Sequence, residues 1–588
     1  MSEHYQFGAW PIAGGLCRFR LWAPGQPAIT LLRRDQPPLP MQALEDGWWQ
    51  VEATAPAGTR YRFALGDGPN VPDPASHGQD GDVDGWSVVQ DHGAYRWKHA
   101  DWRTHPWPQT VVYELHAGAM GGFRGVIAEL PRLASLGVNT IELMPVNDFA
   151  GIANWGYDGV LPYAPDETYG SPDELKALVD AAHGQGIAVM LDVVYNHFGP
   201  AGNYWHAITP DFFRSDISTP WGEAIDFRHD AVRDFFIQNA IFWLREYRFD
   251  GLRLDAVHAI ASETFLSELS DRVRAATEGR PVYLVLENER NDASLLEQKF
   301  EAQWNDDAHH CLHVLLTGED EAYYADYADA PAEHLARALS EGFVYQGEES
   351  KNLGHARGQK SGHLPASSFV NALQNHDQVG NRAFGDRIFT LAPPDAVRAA
   401  LLVLLLTPPV PMLFMGDEYA AERPFLFFTG FGTPELATAV REGRRKEFAR
   451  FSSFADPERR ERIPDPNDPK TFAASSPQPG DRAHPANVEA ETFCRFLLET
   501  RTKKLARRLD GAQSLGAAAL GDRAIRAQWR LADGAVLSVA AQFGDESLPC
   551  PQFPGEPIAA SGPGAGEAAL GGELPPRSAI AWLQEPAG

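Results

Sequence analysis

A central α/β region built on a parallel sheet, with one β-domain before it and another after it, is the fold class that the sequence predicts. Three changes of rhythm carry that prediction. As far as Trp97 the chain runs in short alternating or aromatic-rich segments, Cys17-Arg18-Phe19-Arg20-Leu21-Trp22 and Tyr61-Arg62-Phe63-Ala64-Leu65 among them, punctuated by Pro, Gly and Asp turns. After Pro106-Trp107-Pro108, apolar runs alternate with amphipathic helical patterns, the signature of βα units around a parallel sheet. Beyond Arg508, short strand-like pieces return. At about 100–200 residues per domain, a length of 588 residues leaves room for all three regions. Their expected boundaries are 1–98, 99–508 and 509–588.

Within the central region the clearest strands are 111–115, 140–144, 187–194, 251–255 and 282–287. The helix before the third of these is well marked. Ser171-Pro172-Asp173-Glu174 supplies an N-cap, a proline at the first helical position and the Glu of a capping box, and Gly184 and Gly186 end it. Val232, Phe235, Phe236, Ala240 and Trp243 recur at helical spacing and form a core-facing stripe with no ligand assigned to it. Residues 196–230 form an aromatic insertion containing Pro and Gly, longer than an ordinary βα loop, and are expected to wall a cleft. The stretch 399–415 is the most apolar, but Pro408, Pro409 and Pro411 interrupt it. It falls short of the roughly 20 apolar residues of a membrane span and reads as a buried helix followed by a buried strand. Residues 475–485 read as loop, 524–531 and 535–543 as strands, and no repeat appears at solenoid periods.

Composition narrows the function classes. A formal charge of −28 repels polyanions such as nucleic acid and anionic membrane faces, which favours a neutral substrate. Cys17, Cys311, Cys494 and Cys550 have no C-x-x-C spacing, which argues against a disulfide framework and a thiolate metal site. The N-terminal Met-Ser-Glu-His-Tyr-Gln-Phe-Gly-Ala-Trp lacks the basic and apolar regions of a secretory signal, so the expected compartment is the cytoplasm.

In a (β/α)8 barrel, side chains at the C-terminal ends of several strands converge on one face. Four segments place chemistry there. Leu191-Asp192-Val193-Val194-Tyr195-Asn196-His197 ends one apolar strand in polar groups, and Gly251-Leu252-Arg253-Leu254-Asp255 ends another in an alternating cation and carboxylate. Val282-Tyr283-Leu284-Val285-Leu286-Glu287 ends in a carboxylate, and Asn375-His376-Asp377 follows Phe369-Val370-Asn371-Ala372-Leu373. Arg253 lies two residues before Asp255 on one strand face, so a fixed guanidinium favours the ionised form that a nucleophile must take. Glu289 has the same strand parity as Glu287, and alternation cannot separate them. Position favours Glu287, which directly ends the apolar run.

Taken jointly and in this order, the four segments resemble the four conserved regions of the α-amylase superfamily of glycoside hydrolases and transglycosylases, although any one alone is a weak signal. The resemblance implies a (β/α)8 TIM barrel with Asp255 as nucleophile, Glu287 as general acid/base and Asp377 as transition-state stabiliser. Arg253 would keep Asp255 ionised, and His197 and His376 would bind hydroxyls of the cleaved sugar. Tyr157, in Asn154-Trp155-Gly156-Tyr157-Asp158, would stack on that sugar. Asp192, Asn196 and His258 are further substrate-binding candidates. Trp304 and Asp306, with Asn305 and Asp307 beside them, are candidates for the acceptor side. The residue types suit the chemistry: a retaining glycosidase needs one attacking carboxylate and one carboxylic acid about 5–5.5 Å apart. Asn196 occupies a position that often binds calcium in α-amylases. One Asn is little towards a site of six to eight oxygens, so no required metal and no cofactor are expected.

Longer segments are similar to the maltooligosyltrehalose trehalohydrolases. They are 192–205, 253–260 and 374–382, joined by Gln303-Trp304-Asn305-Asp306-Asp307, Thr317-Gly318-Glu319, Gly416-Asp417-Glu418-Tyr419 and Pro424-Phe425-Leu426-Phe427-Phe428. The similarity runs from about residue 10 to 470, with departures after Thr471. Phe19-Arg20-Leu21-Trp22-Ala23-Pro24 is shared more widely with branching and debranching enzymes, and implies an immunoglobulin-like β-sandwich before the barrel. The resemblance implies hydrolysis of the α-1,4 bond between a maltooligosaccharide and a terminal α,α-trehalose unit. A maltooligosyltrehalose synthase would be the pathway partner. A 1,4-α-glucan branching enzyme shares the trio but passes the glycosyl group to a sugar hydroxyl. Debranching at α-1,6 bonds follows, and a non-catalytic glucan-binding protein on the same fold is the reading from a different class.

Overall fold

The computed structural model describes residues 5–297 and 299–586. Eight parallel strands close into a barrel: β1 Val112–Leu115, β2 Thr140–Leu143, β3 Ala188–Val193, β4 Gly251–Leu254, β5 Tyr283–Leu286, β6 Ala302–Trp304, β7 Phe369–Ala372 and β8 Val410–Phe414, with β8 pairing back onto β1. Helices follow most strands. Only a single turn, Ala293–Leu296, spans β5 to β6.

Strand alternation explains the barrel's contents. The outward set, including Tyr113, Ile141, Leu143, Val189, Leu191, Leu252, Leu254, Leu284 and Leu286, packs into the main core beneath the helices. The inward set is apolar low in the barrel, where Val112, Ala188, Met190, Tyr283, Val285, Val370, Val410 and Met412 form a separate cluster. Nearer the C-terminal mouth the same face turns ionisable. Glu114 stands opposite Glu142 in the β1–β2 register, and Asp192 opposite Arg253 in the β3–β4 register.

The helix Pro172–Gly184 starts with the capping box read from sequence: Ser171 Oγ accepts from Glu174 N at 3.3 Å and Glu174 Oε2 from Ser171 N at 2.8 Å. The Val232–Trp243 stripe lies on the helix Asp230–Glu246, which is buried well beyond that stripe because the front β-domain covers its other side. Phe7 packs edge-on to Phe235 at 5.2 Å, and Gln6 N donates to Gln238 Oε1 at 2.7 Å. That front domain consists of two antiparallel sheets. In its strand Leu16–Trp22, Cys17, Phe19 and Leu21 are buried and Arg18 and Arg20 half-buried, as alternation requires.

The apolar stretch 399–415 divides into the helix Pro394–Leu406 and β8. The helix is apolar nearly all round because it lies between the barrel and a five-stranded antiparallel C-terminal sheet. Among the described residues no helix is long and apolar enough to cross a membrane. All four cysteines are buried free thiols.

Candidate active site

The β-ladder continues past the assigned ends of β4 and β5. Asp255 N donates to Val193 O at 3.0 Å, Glu287 N to Leu254 O at 3.0 Å and Val257 N to Glu287 O at 3.0 Å. Asp255 and Glu287 therefore occupy equivalent positions on neighbouring strands, which run about 4.8 Å apart. Ala256 intervenes with φ 40° and ψ 48°, a left-handed conformation that costs a residue with a Cβ roughly 1–2 kcal/mol. The turn delivers its N–H to Glu287 Oε2 at 2.5 Å.

One guanidinium organises the site. Arg253 is fully buried, with its Cζ 4.1 Å above the Trp304 ring. Its Nη1 lies 2.7 Å from Asp192 Oδ2 and 2.8 Å from Asp255 Oδ1, and its Nη2 lies 3.4 Å from Glu287 Oε2. Asn196 Nδ2 donates to the other oxygen of Asp255 at 2.7 Å. Each oxygen of Asp255 thus accepts from a donor that cannot accept in return, an arrangement suited to a carboxylate. A single cation cannot balance three carboxylates, and the remaining two are pushed towards the acid form. Burial raises Glu287 to about 8, with Arg253 opposing and Asp255, Asp377 and Asp306 adding to the rise. Burial likewise raises Asp192 to about 7, against Arg253. Two interacting carboxyls with divided environments are the pattern of a base or nucleophile beside an acid.

Asp377 lies in the first turn of the short helix His376–Gly380, which Asn375 caps through a capping box. Its side chain is 42% exposed, open to the cleft. His376 Nδ1 pairs with Glu114 Oε1 at 2.5 Å, and its Nε2 lies 3.4 Å from Asp377 Oδ1. Burial alone would discharge His376, but Asp377 and Glu114 hold it up at about 9. Tyr157 stacks on this imidazole at 5.1 Å and donates to Asp192 Oδ2 at 2.6 Å. His197 Nε2 lies 3.0 Å from Tyr157 O, and the His197 ring stacks under Trp221 at 4.5 Å.

These groups open into a cleft of about 630 Å³. Of the residues expected from sequence, Asp255, Glu287, Asp377, Tyr157, His197, His258, Trp304, Asp306 and His376 line it. Three expected substrate binders do not. Arg253, Asp192 and Asn196 are sealed beneath the surface, where Arg253 Nη1 pairs with Asp192 and Asp255, Asp192 Oδ2 also accepts from Tyr157, and Asn196 Nδ2 donates to Asp255. Asn305 and Asp307 are buried and do not line the cleft. Asn305 Nδ2 bonds Gly342 O, and Asp307 is held by Tyr327, Arg357 and the backbone N–H of Val344. Glu289 lies on the rim, half exposed and 3.8 Å from His258 Nε2, away from the Arg253 guanidinium.

Sequence reasoning missed Glu114, Glu142 and Trp221. The two glutamates have inward parity on β1 and β2, so the alternation that singled out Arg253 could have found them. Glu142 is buried, and burial together with Asp192 and Glu114 raises its carboxyl well above the usual range. Trp221, 47% exposed, joins the strands Phe213–Thr219 and Gly222–Ile225 of the aromatic insertion and lines the cleft.

The family described as alpha amylase, catalytic domain, matches residues 72–216, and a domain of unknown function, DUF3459, matches 512–582. The chain is 39% identical over 506 residues to a malto-oligosyltrehalose trehalohydrolase of Deinococcus radiodurans, covering 84% of this chain and 83% of that protein. A 1,4-alpha-glucan branching enzyme of Photobacterium profundum is 34% identical over 282 residues, but covers 42% of this chain and 39% of that protein. A crystal structure of a candidate alpha amylase from Salmonella typhimurium superposes with a TM-score of 0.93 at 44% identity, covering 99% of this chain and 100% of that one.

Proposed function

Because the chain belongs to the malto-oligosyltrehalose trehalohydrolase family of the α-amylase superfamily, we propose that Asp255, Glu287 and Asp377 are the groups with which it carries out that family's reaction. The reaction is hydrolysis of the α-1,4-glucosidic bond next to the terminal α,α-trehalose unit of maltooligosyltrehalose, releasing trehalose and a maltooligosaccharide. Glu287, protonated near neutrality, donates its proton to the glycosidic oxygen as the bond to C1 breaks. Asp255 attacks C1 from the opposite face and forms a glycosyl ester while the leaving sugar departs. Glu287, now a carboxylate, takes a proton from water as the water oxygen attacks C1, and the ester bond to Asp255 breaks. Two inversions give retention. Asp377 and the charged His376 hold hydroxyls of the reacting sugar, and Tyr157 supplies an aromatic face.

The observation that carries this reading is the shared guanidinium: Arg253 contacts Asp255 at 2.8 Å and Glu287 at 3.4 Å. Both carboxyls therefore border one small volume, and burial holds that of Glu287 towards its acid form.

We infer that the reaction serves trehalose biosynthesis in the cytoplasm, downstream of a maltooligosyltrehalose synthase that makes the substrate. Four buried free thiols and a strongly acidic chain suit that compartment. Incubation with maltotriosyltrehalose and, separately, with maltopentaose tests the assignment by product separation. Free trehalose from the first substrate is expected. Absence of trehalose together with formation of α-1,6 branches would give the chain to the branching enzymes.

A further inference from the structure

The hairpin formed by Asn147–Phe149 and Gly159–Pro165 carries the loop that presents Asn154, Trp155, Tyr157 and Asp158 to the cleft. At its base Asp148, Asp166 and Glu167 bring three carboxylate oxygens within 4.8 Å of one another, and none of the three residues lines the cleft. Asp148 is fully buried, and among the described residues no N–H or hydroxyl group donates to either of its oxygens; its hydrogen-bonding neighbour is the Glu167 carboxyl. Asp166 is also buried. Its Oδ1 accepts from Thr168 N and Oγ1 and its Oδ2 from Phe149 N, which fixes the carboxyl and leaves lone pairs unused. Glu167 is exposed and gives the cluster access to solvent. From the front domain, Asp82 reaches the same hairpin, where its Oδ2 accepts from Gly151 N at 3.0 Å. Among the described residues no Lys or Arg forms an ion pair with any of these four acids.

A buried carboxylate with no donor is costly unless a cation or a proton compensates it. The donor set selects the cation: oxygens alone, with no nitrogen or sulfur, suit a hard ion. The three oxygens lie within 4.8 Å of one another, inside the reach of a single Ca²⁺ sphere with ligands at about 2.3–2.6 Å.

We propose that Asp148, Asp166 and Glu167 bind a calcium ion that fastens the base of the 147–165 hairpin, which Asp82 of the front domain also holds through Gly151 N. The ion stabilises the loop carrying Tyr157 and takes no part in bond cleavage. The site is separate from Asn196, whose amide is committed to Asp255.

The test uses the full chain, dialysed against EDTA and then metal-free buffer at about pH 8, followed by calcium titration calorimetry and thermal melts with and without about 1 mM CaCl2. One calcium per chain and a rise in melting temperature of about 5 °C or more are expected for the wild type. The exposed variant Glu167→Gln should bind at least about tenfold more weakly. Asp148→Asn, which puts a neutral isostere in the buried position, should lose the calcium-dependent rise. A wild type that binds no calcium and melts identically with and without it overturns the site. So does a calcium response that survives unchanged in Glu167→Gln, the variant that also decides the matter if Asp148→Asn fails to fold.

Discussion

Glu114 Oε1 lies 2.5 Å from His376 Nδ1, and Glu114 Oε2 accepts from the backbone N–H of His376 at 3.0 Å. This clamp joins β1 to the segment after β7 and leaves the second ring nitrogen of His376 facing Asp377 in the cleft. It also keeps the imidazole charged, with both nitrogens as donors.

Glu114→Gln removes one of the two charges that hold His376 up at about 9. A raised His pKa contributes stability that is fully present below about 6.5 and lost as pH rises through about 9, so the variant's deficit in melting temperature should be largest in acid and shrink in alkali. Near pH 8, kcat/KM should drop by about tenfold or more, roughly 1.4 kcal/mol, with a smaller loss at pH 6. An alkaline limb identical to that of the wild type would show that the clamp is only structural.

Glu287→Gln tests the acid. Wild-type activity should fall as pH rises through about 8, where Glu287 loses the proton it donates. In the variant, natural substrate should slow by at least about 100-fold, while a substrate with an activated leaving group needs no protonation and slows far less in its first step. Because the folded chain holds a proton on Glu287 that the unfolded chain releases above about 4.5, this group costs stability increasingly from there to pH 8. Glu287→Gln should therefore melt higher than wild type at pH 8. Glu289→Gln should retain activity within a few-fold, and equal losses in the two variants would transfer the role.

Asp255→Asn should lower kcat by at least about 10⁴-fold, within the range seen on removing one member of a catalytic set. The fold should persist, since Arg253 still pairs with Asp192 and Glu287. Glu287 should then titrate lower, because the charge of Asp255 helps raise it. Circular dichroism and substrate-binding calorimetry check the fold, and appreciable turnover by a folded variant would remove Asp255 from the mechanism.

Trp221→Ala removes a half-exposed ring that stacks on His197 at 4.5 Å. Melting temperature should change little. KM should rise by about 2–10-fold with a smaller change in kcat, consistent with about 0.5–1.5 kcal/mol of aromatic contact. Unchanged kinetics would leave the ring outside the sugar path.

Much of the site was legible because strand alternation is a local property. Arg253 and Asp255, two residues apart, had to share a face, and the cap of the helix Pro172–Gly184 formed from the four residues that signalled it. Glu114 carried the same parity but no mark of its partner, since His376 lies 262 positions along the chain. Glu287 and Glu289 were equivalent by parity. They are distinguished by the Arg253 guanidinium and the Ala256 N–H, both supplied by the neighbouring strand. Asp192, Asn196 and Arg253 lie behind the cleft wall, because strand parity records which face a residue takes, not how deep in the barrel it lies.

The sequence by itself determined which residue types end which strands, in what order, and hence the kind of reaction they can support. The tertiary structure alone decided depth and pairing: which acids touch the cleft, which stand behind it, and which two share a single buried cation. Periodicity is set by neighbouring backbone geometry, whereas burial and charge coupling exist only once eight distant strands have closed into a ring and excluded water from its interior.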